Sequence, residues 1–437
     1  MRVLLSIILL IVFNSVLSGQ QFTIEESIEL GLKNSKDLKI SGSKVSSSQA
    51  KISEVNSQML PKLSLSASYT RLSDIPPFEI ITPLSPNPIK LYDILLNNYN
   101  FKLSLQQPLF TGFRLSSLKN AAEFNSKSFE VEYDEEVNNA AFNIYTSFWN
   151  YFKAQQILKL VDENLSQMEL HLEDTKNFLD NGLVTLNDLL KLEVEYSNTT
   201  LKKIDAENSV ELSRAAFNKS IGIEINAPST LHSKEINSSQ HEYDFDEILN
   251  EAKQNRNTLK SVEYKILALE ENIDASRGGW FPSIFLFGNF YYSNPNPRIL
   301  PPEDKFNDTW DIGVGLSWDL WNWGFTSSQT RQAEETKYQA ELLLSKLNDA
   351  VEMEVYQSYL NYKKSLEKIN VIQKSVEQAE ENYRITKEKY NSQLATSSDL
   401  IDAEISLLLG KTNLTHALVD YELSRLALEK TIGRKIY

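Results

Sequence analysis

The chain has 437 residues, a formal charge of -15 and no cysteine. That acidity argues against nucleic acid as a partner, because phosphate binding needs clustered Lys and Arg. The absence of cysteine excludes disulfides and a lipid-modified N-terminal cysteine.

Residues 1–18 read as a secretory signal. Arg2 gives a positive start, Val3 to Phe13 is an apolar run with one Ser, and Ser15 and Ser18 are small residues near a cut. About 15 apolar residues fall short of the roughly 20 that a spanning helix needs. Residues 19–60 follow as helices. Thr23 and Glu26 stand in capping-box spacing, and Pro61 stops the helical region.

The period then changes to two. In 61–110, Leu63, Leu65, Ala67 and Tyr69 alternate with Ser64, Ser66, Ser68 and Thr70. This predicts a strand with one apolar face and one small polar face. A Pro-rich loop holds Pro76, Pro77, Pro83, Pro86 and Pro88. A returning strand sets Phe101, Leu103 and Leu105 against Lys102, Ser104 and Gln106.

Residues 111–222 predict a long helical hairpin. Val137, Ile144, Tyr151, Leu158, Leu165, Leu172 and Leu179 recur every seventh position. Three residues on lie Ala140, Ser147, Ala154, Val161, Met168 and Thr175, mostly small. This is a coiled-coil seam. Some 65 residues at about 1.5 Å each make a rod of roughly 100 Å. The rod ends at Asn181-Gly182, and a helix returns from about Thr185 to Ile221. Residues 223–244 are polar and irregular, with Pro228, and predict a small linking appendage.

The plan then repeats. Residues 245–281 predict helices, in which Phe245, Asn255 and Leu259 match Ile24, Asn34 and Leu38. Residues 282–322 predict a second hairpin, with Pro282 matching Pro61. Its strands carry Ile284, Leu286, Gly288 and Phe290, then Ile312, Val314, Leu316 and Trp318, with Gly313, Gly315 and Ser317 opposite. Residues 323–437 predict a second long hairpin. Its first seam is Asn348, Val355, Tyr362, Ile369, Val376, Tyr383 and Tyr390. Its second is Val351, Ser358, Ser365, Ile372, Ala379 and Thr386. Glu211 to Gly222 and Glu422 to Gly433 agree at eight of twelve positions, which marks an internal two-fold repeat.

Each strand is near the length of about ten residues that crosses a bilayer when tilted. The polar face is expected to be uniformly Ser, Thr, Gly and Gln. Aromatic residues at the strand ends, Tyr69, Phe110, Phe113, Trp280, Trp310, Trp318, Trp321 and Trp323, suit a membrane–water boundary. Four strands cannot close a barrel, and lipid does not tolerate open edges. If the strands span a membrane, several chains must share one barrel.

The paired turns NGLVTLNDLLKLE from Asn181 and SQLATSSDLIDAE from Ser392, with the junctions QPLFTGFR and WDLWNWGFT, resemble the TolC-like outer-membrane efflux protein family. The resemblance covers essentially the mature chain. It implies an α+β membrane protein in which a long α-helical coiled-coil barrel continues from four β-strands per chain. Those strands close as a twelve-stranded barrel in a homotrimer. It implies an outer-membrane exit duct with its helical tunnel in the periplasm, in contact with outer-membrane lipid. It also implies a periplasmic adaptor (membrane fusion) protein and an inner-membrane transporter as partners, in efflux or type I secretion. No enzymatic role is implied.

The resemblance also points to sites. Thr185 with Asp188, and Thr396 with Asp399, have capping-box spacing at the starts of the returning helices. Asp402 lies one turn beyond Asp399 on the same face, where its first-half counterpart is Lys191. In the family such paired acids ring the tunnel's narrowest point, which favours cations. The resemblance implies that Tyr390 and Asp188 meet across neighbouring turns, as lock residues do in some relatives, and Gly182 marks the first turn. The second turn departs from the family, with Gln393 at a common Gly place and Ala395 where some relatives have Arg.

Other motifs lead nowhere. Gly410-Lys-Thr lacks the earlier Gly of a phosphate loop, since that place is Ile405. His171, His232, His241 and His416 show no metal spacing. No nucleophile–base set is visible, and no cofactor is expected. The alternative to a duct is a structural coiled-coil envelope protein or a periplasmic adaptor. An adaptor carries compact β-domains and needs no membrane-spanning strands.

Overall fold

The structure, a computed structural model, describes residues 20–83, 85–92, 94–232 and 242–437. The expected signal, 1–18, lies outside them, as do His241 and the middle of the expected linker. In order the elements are β1 (Gln20–Phe22), α1 (Ile24–Asn34), α2 (Lys36–Ser57), β2 (Lys62–Arg71), β3 (Glu79–Thr82), β4 (Ser85–Lys90) and β5 (Asn97–Thr111). Then come α3 (Arg114–Asp180), α4 (Leu186–Ser220), β6 (Ser229–Leu231), α5 (Phe245–Asn255) and α6 (Asn257–Arg277). The chain finishes with β7 (Ser283–Asn294), β8 (Asn307–Ser317), α7 (Phe325–Asn391) and α8 (Ser397–Thr431). Helices α3 and α7 each run 67 residues, and α4 and α8 each run 35.

Two compact units divide the chain. One comprises the residues up to Ser43, Val131–Lys260 and Ser345–Tyr437. Its core gathers Phe22, Ile28, Ile144, Phe148, Tyr151, Phe217, Ile221, Val419 and Ile436. Helix α1 enters this core behind a reciprocal cap. Thr23 Oγ1 accepts from Glu26 N at 3.2 Å, while Thr23 N donates to Glu26 Oε2 at 2.9 Å.

The expected appendage is more ordered than its composition indicated. Strand β6 pairs parallel with β1, Gln20 beside Ser229 and Phe22 beside Leu231. The fully buried Asn218 donates to the carbonyls of Ile225 at 3.1 Å and Ala227 at 2.9 Å, and Tyr151 Oη donates to Ser229 O at 2.9 Å. A three-residue strand whose partner lies far upstream leaves no local period to read.

The seam of α7 follows its seven-residue spacing. Val351, Val355, Tyr362, Ser365, Ile369, Val376 and Tyr390 are buried. The seam of α3 differs from the expected one. Val137, Ile144 and Tyr151 are buried with Ala141 and Phe148, not with Ala140 and Ser147. Beyond Tyr151 the expected second seam is buried at Ala154, Val161, Met168 and Thr175, joined by Asn164 and His171, whereas the expected first seam, Leu158, Leu165, Leu172 and Leu179, is only half-buried. A helix of 3.6 residues per turn drifts about 20° per heptad against a strict 3.5 repeat, so a fixed register does not keep facing one neighbour.

The second unit comprises Lys44–Glu130 and Ser261–Leu344. Its four-stranded antiparallel sheet has the order β2-β5-β7-β8. Side chains alternate across it as the period of two requires. One face presents Leu63, Leu65, Leu103, Leu105, Phe290, Ile312, Val314 and Leu316, all exposed in the single chain.

Three expectations about this unit are corrected. The Pro-rich loop contains a small hairpin, β3 paired with β4. Trp318 falls just past β8 instead of within it. The other face is not uniformly small and polar: the register puts Lys62, Lys102, Phe285, Phe287, Tyr291 and Asp311 there. Gly313 and Gly315 make room for this. A Cβ at Gly313 would meet the Phe287 ring at 2.7 Å, and one at Gly315 would meet the Phe285 ring at 2.4 Å. The tips of the phenylalanine rings reach over glycine, a packing partner that strand alternation does not announce.

Candidate functional site at the helix turns

Both long helices end in the same backbone motif. Gly182 N donates to Leu179 O at 2.9 Å and Leu183 N to Phe178 O at 2.9 Å; Gln393 N donates to Tyr390 O at 2.9 Å and Leu394 N to Lys389 O at 2.7 Å. This is the Schellman pattern, which needs a left-handed residue at the turn. Gly182 supplies it with φ 71° and Gln393 with φ 61°. Glycine adopts that conformation freely, whereas glutamine does so against its Cβ.

Each returning helix then begins with a reciprocal cap. Asp188 Oδ2 accepts from Thr185 N at 3.0 Å and from Thr185 Oγ1 at 2.6 Å. Asp399 Oδ2 accepts from Thr396 N at 2.8 Å and from Thr396 Oγ1 at 2.7 Å. The threonine hydroxyl, and after it the backbone N–H, hold both carboxyls below the usual aspartate range. Asp402 is exposed one turn beyond Asp399, as is Lys191 beyond Asp188.

Behind the turns lies a buried polar cluster. Tyr390 Oη and Thr175 Oγ1 share a hydrogen bond of 2.8 Å, and Thr175 Oγ1 also donates to His171 O at 2.8 Å. The Tyr390 ring stands edge-on to His171 at 4.9 Å and lies 5.7 Å from Phe178. His171 Nε2 meets Ser397 Oγ at 3.2 Å, and its Nδ1 lies 3.6 Å from Glu404 Oε2. Burial pushes the Tyr390 hydroxyl pKa up, and the charges of Asp174, Asp188 and Glu404 add to this; the Thr175 hydrogen bond opposes it. Tyr390 thus bonds to Thr175, while Asp188 stays engaged with Thr185.

Sequence reasoning did not single out this cluster. His171 enters there only among the histidines without metal spacing, and Glu404 stands in the sequence simply as the counterpart of Glu193 at an offset of 211. One signal was available. Ser397, Leu400, Glu404 and Leu407 recur at steps of three and four, so a carboxylate stands in line with leucines on a buried stripe.

In the sheet unit, aromatic side chains gather at both strand ends. At one end the rings of Tyr69 and Tyr99 lie 5.0 Å apart, Tyr292 stacks on Phe306, and Trp310 is exposed. At the other, Phe113 stands edge-on to Phe110 at 5.2 Å and to Phe281 at 6.0 Å. There, too, Trp318 Nε1 donates to Trp280 O at 3.2 Å, and Trp321 and Trp323 form an edge-on pair. The strand-to-helix junctions hold consecutive left-handed residues, Gly112 with Phe113 and Trp323 with Gly324. Each half thus keeps an exposed aromatic residue in a conformation that costs roughly 1–2 kcal/mol. Among the described residues no helix is long and apolar enough to cross a membrane.

A strand sheet with one lipid-compatible face, joined to two very long helical hairpins, defines the class of outer-membrane ducts. The chain belongs to the outer membrane efflux protein family, whose model matches residues 28–223 and again 248–434. It is an outer-membrane protein and not an enzyme. It is 25% identical over 386 residues to the outer membrane protein TolC of Vibrio cholerae, covering 87% of this chain and 84% of that one. A solved structure of CusC superposes with a TM-score of 0.78 at 16% identity, over 94% of this chain and 92% of the other. The CmeC outer membrane channel of Campylobacter jejuni superposes with a TM-score of 0.78 at 18% identity, over 94% and 85%.

Proposed function

We propose that the chain is the passive exit duct of a tripartite efflux or type I secretion system. Its strands cross the outer membrane, its helices form a tunnel in the periplasm, and the helix turns gate the entrance. A periplasmic adaptor and an inner-membrane transporter dock to it and supply the energy.

The observation that carries this reading is the sheet. Among the described residues its edge strands, β2 and β8, each have one side without a strand partner, and one face presents a broad apolar surface. Unpaired strand edges are not sustained in hydrocarbon. Three copies joined β8 to β2 give twelve strands and no edge.

At the turns, three copies of Asp399 and Asp402 place six carboxylates around one opening, a ring that retains cations. Gly182, Thr185 and Thr396 shape the turns, and Asp188 and Tyr390 act at the gate. The aromatic belts of Tyr69 and Trp310, and of Phe110, Phe113, Trp280, Trp318, Trp321 and Trp323, seat the barrel at the two membrane boundaries. We further propose that the functional segments follow the boundaries set out above, from the strand hairpins at 61–110 and 282–322 to the helical hairpins at 111–222 and 323–437.

Two measurements test this. The protein extracted from outer membranes should migrate as a heat-labile trimer; a monomer overturns the shared barrel. In planar bilayers, divalent-cation block of single-channel current should weaken in Asp402→Ala, and unchanged block removes the carboxylate ring from the reading.

A further inference from the structure

The polar face of the sheet carries charge opposite in sign to the chain as a whole. Its strand residues include Lys62, Lys102 and a single carboxylate, Asp311. A further cation reaches it from the loop after β7. The Arg298 guanidinium lies 5.1 Å from the centre of the Tyr291 ring and donates to Trp310 O at 3.0 Å. It also pairs with Asp311, whose carboxylate accepts from Asn289 Nδ2 at 2.7 Å as well. Lys102, on the neighbouring strand, sets its ammonium 5.4 Å from the same Tyr291 ring. The face therefore holds Lys62, Lys102 and Arg298 against Asp311, in a chain of net charge -15.

The loop that brings Arg298 is anchored on this face. The buried Asn296 donates to Asn307 O at 3.0 Å, and Asn296 Nδ2 lies 3.3 Å from Thr309 Oγ1. Beside it opens a cavity of about 590 Å³ lined by Asn98, Asn100, Tyr291, Ser293, Arg298 and Thr309. Further along β7 the same face carries Phe287 and Phe285, at steps of about 6–7 Å. Cations held over an aromatic ring keep their outward charge. Low-dielectric walls focus that charge along a passage, over a range of about 8 Å at physiological salt.

We propose that this face forms an anion-binding stretch of the passage, with Lys102 and Arg298 as its specificity-determining residues. The cargo it fits is an anion that also carries an aromatic or apolar part. The inference rests on the duct reading, in which the polar face lines the pore.

The test uses the full-length protein in planar bilayers. A pyrene trisulfonate added on the barrel side should block the single-channel current, and hexaamminecobalt(III) from the same side should block far less. Lys102→Gln and Arg298→Gln should each raise the half-blocking trisulfonate concentration roughly tenfold, the scale of one partly screened charge contact. Lys102→Arg should retain the block. A conducting channel that the trisulfonate does not block, or that the cation blocks equally, overturns the inference. So does trisulfonate block that is unmoved in Lys102→Gln. Failure to conduct at all overturns the duct reading instead.

Discussion

Glu404 on α8 lies 3.6 Å from His171 on α3, carboxylate oxygen to imidazole nitrogen, with side chains 2% and 3% exposed. It joins a helix of the second hairpin to one of the first. Neither His171 Nδ1 nor Glu404 Oε2 has a well-formed hydrogen bond among the described residues. Removing one partner strands the other in a sealed site, whereas replacing both by apolar groups is often neutral or better. His171→Leu and Glu404→Leu should each cost roughly 1–3 kcal/mol in chemical unfolding of the purified protein. The double variant should lose less than the sum. Strict additivity in that cycle would show that the two side chains do not interact.

Tyr390 ties the same two hairpins through Thr175. Tyr390→Phe removes one hydroxyl and leaves Thr175 bonded to His171 O. The stability loss should therefore stay near 1 kcal/mol, the net worth of a hydrogen bond. Resting conductance should nevertheless rise, because in the gating proposed above this bond bridges elements that part when the turns open. Resting currents identical to wild type exclude Tyr390 from the gate.

The caps at Asp188 and Asp399 give a dependence on acid. Both carboxyls sit below their usual range because Thr185 and Thr396 donate to the charged form. A depressed native pKa makes the contribution full above the unfolded value of about 3.9 and drains it as pH falls through the native value. The turns should hold through pH 5 and loosen only in stronger acid. Hydrogen exchange at the amides of Thr185 and Thr396, which donate to these carboxylates, reads this directly. Thr185→Ala or Thr396→Ala should cost roughly 1 kcal/mol and weaken that acid dependence at its own turn, since the hydroxyl donor is lost and the backbone donor stays; an acid dependence unchanged in Thr396→Ala contradicts the assignment.

Gln393 takes a left-handed backbone at the place where the first turn has Gly182. Gln393→Gly should relieve roughly 1–2 kcal/mol of local strain, partly offset by the greater freedom of the unfolded chain. Calorimetry should show a melting temperature at or slightly above wild type. A clear drop would mean that the glutamine side chain makes a stabilising contact that outweighs the strain.

Much of the architecture is legible without coordinates because it is local. The alternation from Leu63 to Thr70 dictates a two-faced strand, since successive side chains point to opposite sides. Thr23 with Glu26, and Thr185 with Asp188, announce helix starts because each cap closes within four residues. The seam of α7 is written in its own spacing. In α3 the expected second seam, Ala154, Val161, Met168 and Thr175, is the buried one beyond Tyr151, while contact with neighbouring elements leaves the first-seam leucines Leu165 and Leu172 half-buried and adds His171.

The amino-acid order by itself determined the four long strands, the two long rods, their turns and the caps that restart the chain, because each is set by residues within a few positions of one another. Only the tertiary structure decided that His171 meets Glu404, that Tyr390 bonds to Thr175, that β6 lies beside β1, and that Phe285 and Phe287 rest on glycines of the next strand. Those contacts join segments that no short-range period relates, and each becomes fixed only when packing brings one element against another.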